Sequence, residues 1–288
     1  MSAIVVGDAF VDIIVPFYGF RPGETYHRHL TTRCGGVANV AVQLARLGSK
    51  ADFFGKVGKD VFGDYFRHNL ERHGVTDFVV TDPENATGLC VSLSHKGGER
   101  TMIASRGAND FLRIEDVKSQ LRGMCSSDIL YFSGYSLVSD ITANTVLHMV
   151  ERCRSQKCAI YFNPGASNII TKKYRDVLKR YVDVLILNIA EAEKLSEQGK
   201  ISEIAKSLSS IVRLAVITAG ADGCILVRNG EIRCFKTDVI DTADTTGAGD
   251  ACSAGFIHGK LRGMDDGDCA RAGNQAALLW LREASARG

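Results

Sequence analysis

Residues 244–250 read Asp-Thr-Thr-Gly-Ala-Gly-Asp and run directly into an apolar stretch, Ala251-Cys252-Ser253-Ala254-Gly255-Phe256-Ile257. Small residues let a backbone turn tightly and come close to a ligand. The apolar stretch reads as the start of a helix. Its unpaired N–H groups, with the positive end of the helix dipole, form a site suited to phosphate. Asp250 stands out because it puts a carboxylate where an anion should bind. A base that takes a proton from a hydroxyl while that hydroxyl attacks a phosphoryl group belongs at such a place. The residues therefore point to small-molecule phosphoryl transfer. Asp250 would be the base, and the N–H groups of Gly247, Ala248 and Gly249 would face the transferred phosphoryl. The competing reading is a first-turn carboxylate that only complements the helix dipole, worth up to about 1 kcal/mol.

Other polar residues sit in positions that need explaining. Asp12 interrupts the apolar run Val11-Asp12-Ile13-Ile14-Val15, and burying a carboxylate without partners is costly. Sugar hydroxyls would supply such partners. Gly35 and Gly36 would let a sugar lie against the backbone, and Asn39 offers both a donor and an acceptor. Asn188-Ile189-Ala190-Glu191 follows the apolar run 183–187 and opens a helix. That is the carboxyl end of a strand, where open α/β sheets bind ligands. The same four residues also make an ordinary capping box, and both readings stay open.

Residues 244–257 closely resemble the C-terminal signature of the ribokinase-like (PfkB) carbohydrate kinase family. Gly35-Gly36-Val37-Ala38-Asn39-Val40-Ala41, followed by Gly48 and Gly58, resembles its N-terminal signature. Cys34 and Val37 depart from it, standing where Gly, Ala or Pro is more usual. Two signatures roughly 200 residues apart, in the right order, are far more specific than either alone.

The resemblance implies ATP as phosphate donor, magnesium, and in some relatives potassium. It implies that Asn188 and Glu191 organise hydrated magnesium and phosphate. It also implies that Thr218, Gly220 and Gly223 form a nucleotide-phosphate loop of the T-x-G-x-x-G kind, and that Asn274 borders the adenine; a simple strand-to-strand turn and helix packing are the respective alternatives. Asp244 matches an aspartate that helps bind a monovalent cation; orienting the loop by turn-type hydrogen bonds is the alternative. Asp12 matches an aspartate that binds two sugar hydroxyls. Asn109 and Arg106 match the segment where a small β lid re-enters the core, and are further candidates to bind the acceptor. The lid, about residues 17–33 and 88–106, implies a homodimer, because lid strands in relatives pair between subunits.

These residues must be positioned by a larger frame. Residues 3–7, 11–15, 51–57, 128–132, 159–162, 183–187 and 215–218 read as strands. Residues 37–47 and 61–73 read as helices closed by Gly48 and Gly74. Further helices are expected over 141–154, 248–261 and 266–284. The alternation predicts a mainly parallel sheet flanked by helices, with the lid as an insertion into one domain spanning 1–288. Residues 88–106 alternate as a half-exposed hairpin, with Lys96-Gly97-Gly98-Glu99 as its turn. His27 and His29 share a face of a lid strand and read as solvent-exposed.

The chain has 288 residues and a formal net charge of +2, with neither basic blocks nor acidic tails. That argues against an electrostatically driven nucleic-acid or membrane partner. No apolar run reaches 18 residues and no signal peptide is read. Nine cysteines without a C-x-x-C pair suit reduced thiols in the cytoplasm.

Rival classes fail on their motifs. The Gly-Lys pairs at 55–56, 58–59, 199–200 and 259–260 lack the Ser or Thr of a P-loop. Gly7-Asp8-Ala9-Phe10-Val11-Asp12 is not a dinucleotide-binding G-x-G-x-x-G. A silent sugar- or nucleotide-binding protein would not need Asp250. Among acceptors, a phosphosugar would be held by several Arg or Lys residues. Only Arg100 and Arg106 flank Met102 and Ile103, so a sugar without phosphate is favoured, with a nucleoside second. Phe10 could stack on a base or simply pack.

Overall fold

The computed structural model describes residues 1–17, 30–95, 100–123, 128–240 and 245–285. From the amino end the chain forms β1 (Ala3–Val6), β2 (Phe10–Phe17), β3 (Thr31–Gly35), α1 (Ala38–Arg46), β4 (Ala51–Gly58), α2 (Val61–Arg72) and β5 (Thr76–Asp82). β6 (Gly88–His95) and β7 (Arg100–Ser105) lead through a 3-10 turn, Gly107–Phe111, to α3 (Ile114–Val117). Then come β8 (Ile129–Ser133), α4 (Asp140–Ser155), β9 (Ala159–Asn163), α5 (Lys172–Tyr181), β10 (Val184–Asn188), α6 (Ile189–Ser196), α7 (Ile201–Ser209) and β11 (Leu214–Thr218). The pair β12 (Cys224–Arg228) and β13 (Glu231–Phe235) precedes α8 (Ala248–Leu261) and α9 (Asp266–Ser285).

The main sheet runs β13-β12-β11-β10-β9-β8-β1-β4-β5. Every pair from β11 to β5 is parallel, whereas β12 and β13 are antiparallel. Period-two alternation sends Ala3 and Val5 of β1 into a core with α1, α2, α8 and α9. Ile4 and Val6 enter a second core with α3 to α7. Helices on both faces explain why the central strands read as unbroken apolar runs. β5 and β13 escaped the sequence reading because they are edge strands with mixed burial.

The small sheet has the order β3-β2-β6-β7, and it begins earlier than expected, at Phe10 rather than near residue 17. Gly7, at φ +145°, lets the chain leave the main sheet after β1. The apolar run 11–15 therefore pairs with β3 and β6, which puts Asp12 on the small sheet. Most of the expected segment 17–33, including His27 and His29, lies outside the described residues, as does the 96–99 turn.

Small residues in α8 serve helix packing. A Cβ on Gly255 would come within 2.5 Å of the Ala272 carbonyl oxygen of α9, so the two helices pack closely only because a glycine stands there.

Candidate active site

α8 begins with Gly247, in the left-handed region at φ +83° and without a side-chain cap. Ala248, Gly249 and Asp250 form its first turn. A Cβ on Gly249 would meet nothing within 4 Å, so the space beside the turn is open.

Asp250 is the hub. Its Oδ2 accepts a 3.2 Å hydrogen bond from Asn39 Nδ2 of α1. Burial pushes its carboxyl up to about 6, with the Asn39 bond opposing. Asp12 is likewise raised to about 6, first by burial and then by the Asp250 charge, with Arg33 opposing. Glu191 is raised to about 7 by burial, while its bonds from Asn188 oppose and the Asp250 charge adds. Asp12 of β2 and Glu191 of α6 thus both feel the charge of Asp250 on α8. Nearby like charge and burial both favour the protonated form of each carboxyl.

On the acceptor side, Asp12 lies opposite Arg33 in the β2–β3 register. A Cβ on Gly35 would come within 2.3 Å of the Asp12 carboxylate, so a glycine is what admits that carboxylate. On Gly36, at φ +73°, a Cβ would collide with the Asp8 carbonyl at 2.3 Å. A cleft of about 420 Å³ opens between the small sheet, α1, α2 and α9, lined by Asp12, Asn39, Arg33, Arg46, Arg72 and Trp280 among others. Its arginines come from β3, α1 and α2, not from the lid hairpin where basic residues were sought.

Asn109 and Arg106 hold backbone and carboxylate beside this region. Asn109 Oδ1 accepts from the Ala9 N–H at 2.7 Å, and its Nδ2 donates to the Ala9 carbonyl at 3.1 Å. Arg106 forms a bidentate pair with Asp8, at 2.9 and 3.0 Å. Asp8 is buried, and that burial raises its carboxyl against the pull of Arg106. Together they fix the β1–β2 connection to the chain leaving β7. Asp8 was not singled out in the sequence, since Gly7-Asp8 matched no motif.

On the opposite side, β10 and β11 end in register with Asn188 beside Thr218. Asn188 and Glu191 complete the capping box: Asn188 Oδ1 accepts from Glu191 N–H at 2.9 Å, and Glu191 Oε2 accepts from Asn188 N–H at 2.9 Å. Glu191 Oε1 also accepts from Asn188 Nδ2 at 2.8 Å. The structural reading is thus realised, yet it leaves Glu191 within the field of Asp250. After β11, Gly220–Asp222 form a 3-10 turn that returns as antiparallel β12. Asn274 Nδ2 donates to the Phe235 and Lys236 carbonyls at 2.8 and 3.3 Å. A Cβ on Gly223 would come within 2.9 Å of that same nitrogen, so Asn274 packs behind the Thr218–Gly223 turn. Asp244 lies outside the described residues.

Among the described residues no group of three or more His, Cys, Asp or Glu is arranged to hold a metal. The donors present, Glu191 with Asn188, are oxygens suited to a magnesium ion that keeps waters and binds phosphate. No described helix is long and apolar enough to cross a membrane.

The profile of the "pfkB family carbohydrate kinase" matches residues 2–288. A fructokinase of Vibrio alginolyticus is 29% identical over 265 residues, covering 88% of this chain and 82% of that protein. A ribokinase of Haemophilus influenzae is 27% identical over 290 residues, covering 96% and 90%. The crystal structure of an adenosine kinase from Sinorhizobium meliloti superposes with a TM-score of 0.87 at 24% identity, covering 97% of this chain and 93% of that one. At that identity the superposition speaks for the fold.

Proposed function

The chain belongs to the pfkB family of carbohydrate kinases, and we propose that it transfers the γ-phosphoryl group of MgATP to a hydroxyl of a sugar or sugar-like alcohol. Its family makes it a phosphotransferase acting on an alcohol group. The observation that carries the finer reading is the convergence on Asp250. The carboxylate opens a helix behind a glycine turn, is raised to about 6, and takes a hydrogen bond from Asn39.

In this reading Asp250 accepts the acceptor's hydroxyl proton as that oxygen attacks the γ-phosphorus. The new P–O bond forms in line as the bond to the β-phosphate oxygen breaks, and ADP leaves. The N–H groups of Gly247, Ala248 and Gly249 stabilise charge on the transferred group. Asp12, Gly35, Gly36 and Asn39 hold the acceptor, while Asn109 and Arg106 keep its cradle in shape. Thr218, Gly220, Gly223 and Asn274 hold the nucleotide. When bound, magnesium would neutralise phosphate charge, and Asn188 and Glu191 would receive its hydration shell. Asp244 is the residue assigned to potassium.

Two further features accompany this reading. β7 is an outer strand of the small sheet, with Met102 65% and Ile103 63% exposed. That surface supports pairing of two lids into a homodimer. The eight described cysteines are free thiols, which suits a reducing cytoplasm.

The test is ADP release from MgATP with potassium across sugars, sugar acids, phosphosugars and nucleosides, with Asp250→Asn measured alongside. One acceptor should turn over, and Asp250→Asn should bind nucleotide yet lose about 10²–10⁴ of turnover. Near-normal turnover of the variant removes Asp250 from the base role.

A further inference from the structure

We propose that Trp280 is a positioning residue for phosphoryl transfer, bracing the Thr246–Gly247 peptide so that the N–H groups opening α8 keep their aim. The proposal rests on the reading of Gly247–Gly249 as the anion site. No motif reaches Trp280, the chain's single tryptophan.

The indole Nε1–H donates to the Thr246 carbonyl at 2.6 Å. Carbonyl and following N–H point in opposite directions in a trans peptide. Pinning the Thr246 oxygen on the indole therefore turns the Gly247 N–H away from α9. The ring also lies against Gly247. A Cβ built there would be 2.9 Å from Nε1 and 3.0 Å from Cε2 and Cζ2. A side chain at 247 is thus excluded twice, by the φ of +83° and by the indole. α8 has no side-chain cap of its own, so the usual local fastener of a helix start is missing. Trp280 instead fixes the Thr246 carbonyl just ahead of the helix from a distant part of the chain.

The brace is itself held. The Arg46 guanidinium stands 6.0 Å from the Trp280 ring centroid and donates to both Glu283 oxygens at 2.6 Å. Arg46 ends α1, the helix whose first turn carries Asn39. One helix therefore bonds the base at its start and stands beside the brace at its end. The base and the anion loop share a common reference. Gly247 lies against the indole and Arg46 stands beside it. A core filler needs only bulk, whereas this arrangement uses the N–H and the flat edge of the indole.

The experiment compares wild type with Trp280→Phe, which keeps an aromatic ring and loses the donor. The variant should lose about tenfold or more in kcat, with KM for MgATP and acceptor within about threefold. Amide exchange should quicken across residues 245–250 and stay unchanged elsewhere in α8 and α9. Unchanged kcat with unchanged exchange overturns the proposal. So does a joint fall of kcat, affinity and melting temperature with faster exchange throughout α9, which marks a mere packing residue. If wild type turns over no acceptor, the kinase reading fails instead, and exchange across 245–250 still decides the brace.

Discussion

Asp250 titrates where an enzyme can feel it. Its carboxyl is held near 6 by burial, with Asn39 pulling it down. A base must be ionised, so kcat/KM should fall as pH drops below about 6, roughly tenfold per pH unit. Asp12 and Glu191 respond to the same charge, so the observed midpoint belongs to the cluster as much as to Asp250. Asn39→Ala removes the bond that favours the ionised form, and a pH–rate profile from 5 to 8 should show the acid limb moved upward. An unmoved limb would mean the Asn39–Asp250 bond has no role in tuning the base. Gly35→Ala is a second check. Its methyl would lie 2.3 Å from the Asp12 carboxylate, forcing Asp12 out of place. Acceptor KM should rise about tenfold or more, with nucleotide affinity unchanged by titration calorimetry. Asp250 and Asp12 stood out in the sequence as candidates because one is a carboxylate beside a glycine turn and the other interrupts an apolar run; for Asp250 the dipole-complementing reading was overridden only by the second signature upstream. Trp280 and Asp8 did not, because each meets a partner distant in sequence, the Thr246 carbonyl for one and the Arg106 guanidinium for the other.

Single elements matter through how they are fastened. Asp60 caps α2, accepting from Phe62 N–H at 3.1 Å and Gly63 N–H at 2.9 Å. It also accepts from Thr87 N–H at 2.8 Å and Thr87 Oγ1 at 2.7 Å. Thr87 directly precedes β6, so one carboxylate ties a main-layer helix to the entry of the small sheet. Its desolvation is outweighed by these bonds, which lower its pKa below the ordinary 3.8. Asp60→Ala should cost about 1–2 kcal/mol in denaturant unfolding at pH 7. The sign follows from the lowered value. The contribution is present above about 3.8 and disappears as pH falls through the folded-state value, so wild type and variant should converge in acid. The glycine stops of α1 and α2, and the apolar spacing of α1, α2 and α8, were legible in the sequence. The edge strands β5 and β13 were not, since their exposed positions carry little apolar signal.

Taken as one body, the chain sets a small sheet against a larger one and leaves the outer strand β7 uncovered, from Thr101 to Ser105. A second lid would cover it, and Ile103, 63% exposed, would lie within that contact. Light scattering should give twice the chain mass for wild type. Ile103→Lys should shift the equilibrium to monomer without lowering its melting temperature by more than a few degrees. A wild type that is monomeric at high concentration discards the lid interface.

The residues alone determined the alternation of strands and helices, because burial on one or both faces imposes periods of two and 3.6 on any sequence. They also determined the chemistry on offer at Asp250, Asp12 and the glycine turn, since these are local properties of side chain and backbone. Only the tertiary structure decided that β2 leaves the main sheet, that Asp12, Glu191 and Asp250 share one field, and that Trp280 meets Gly247. Those facts depend on contacts between residues up to about 240 positions apart in the chain. Such contacts are set by chain reversal and packing, which leave no fixed spacing in the sequence.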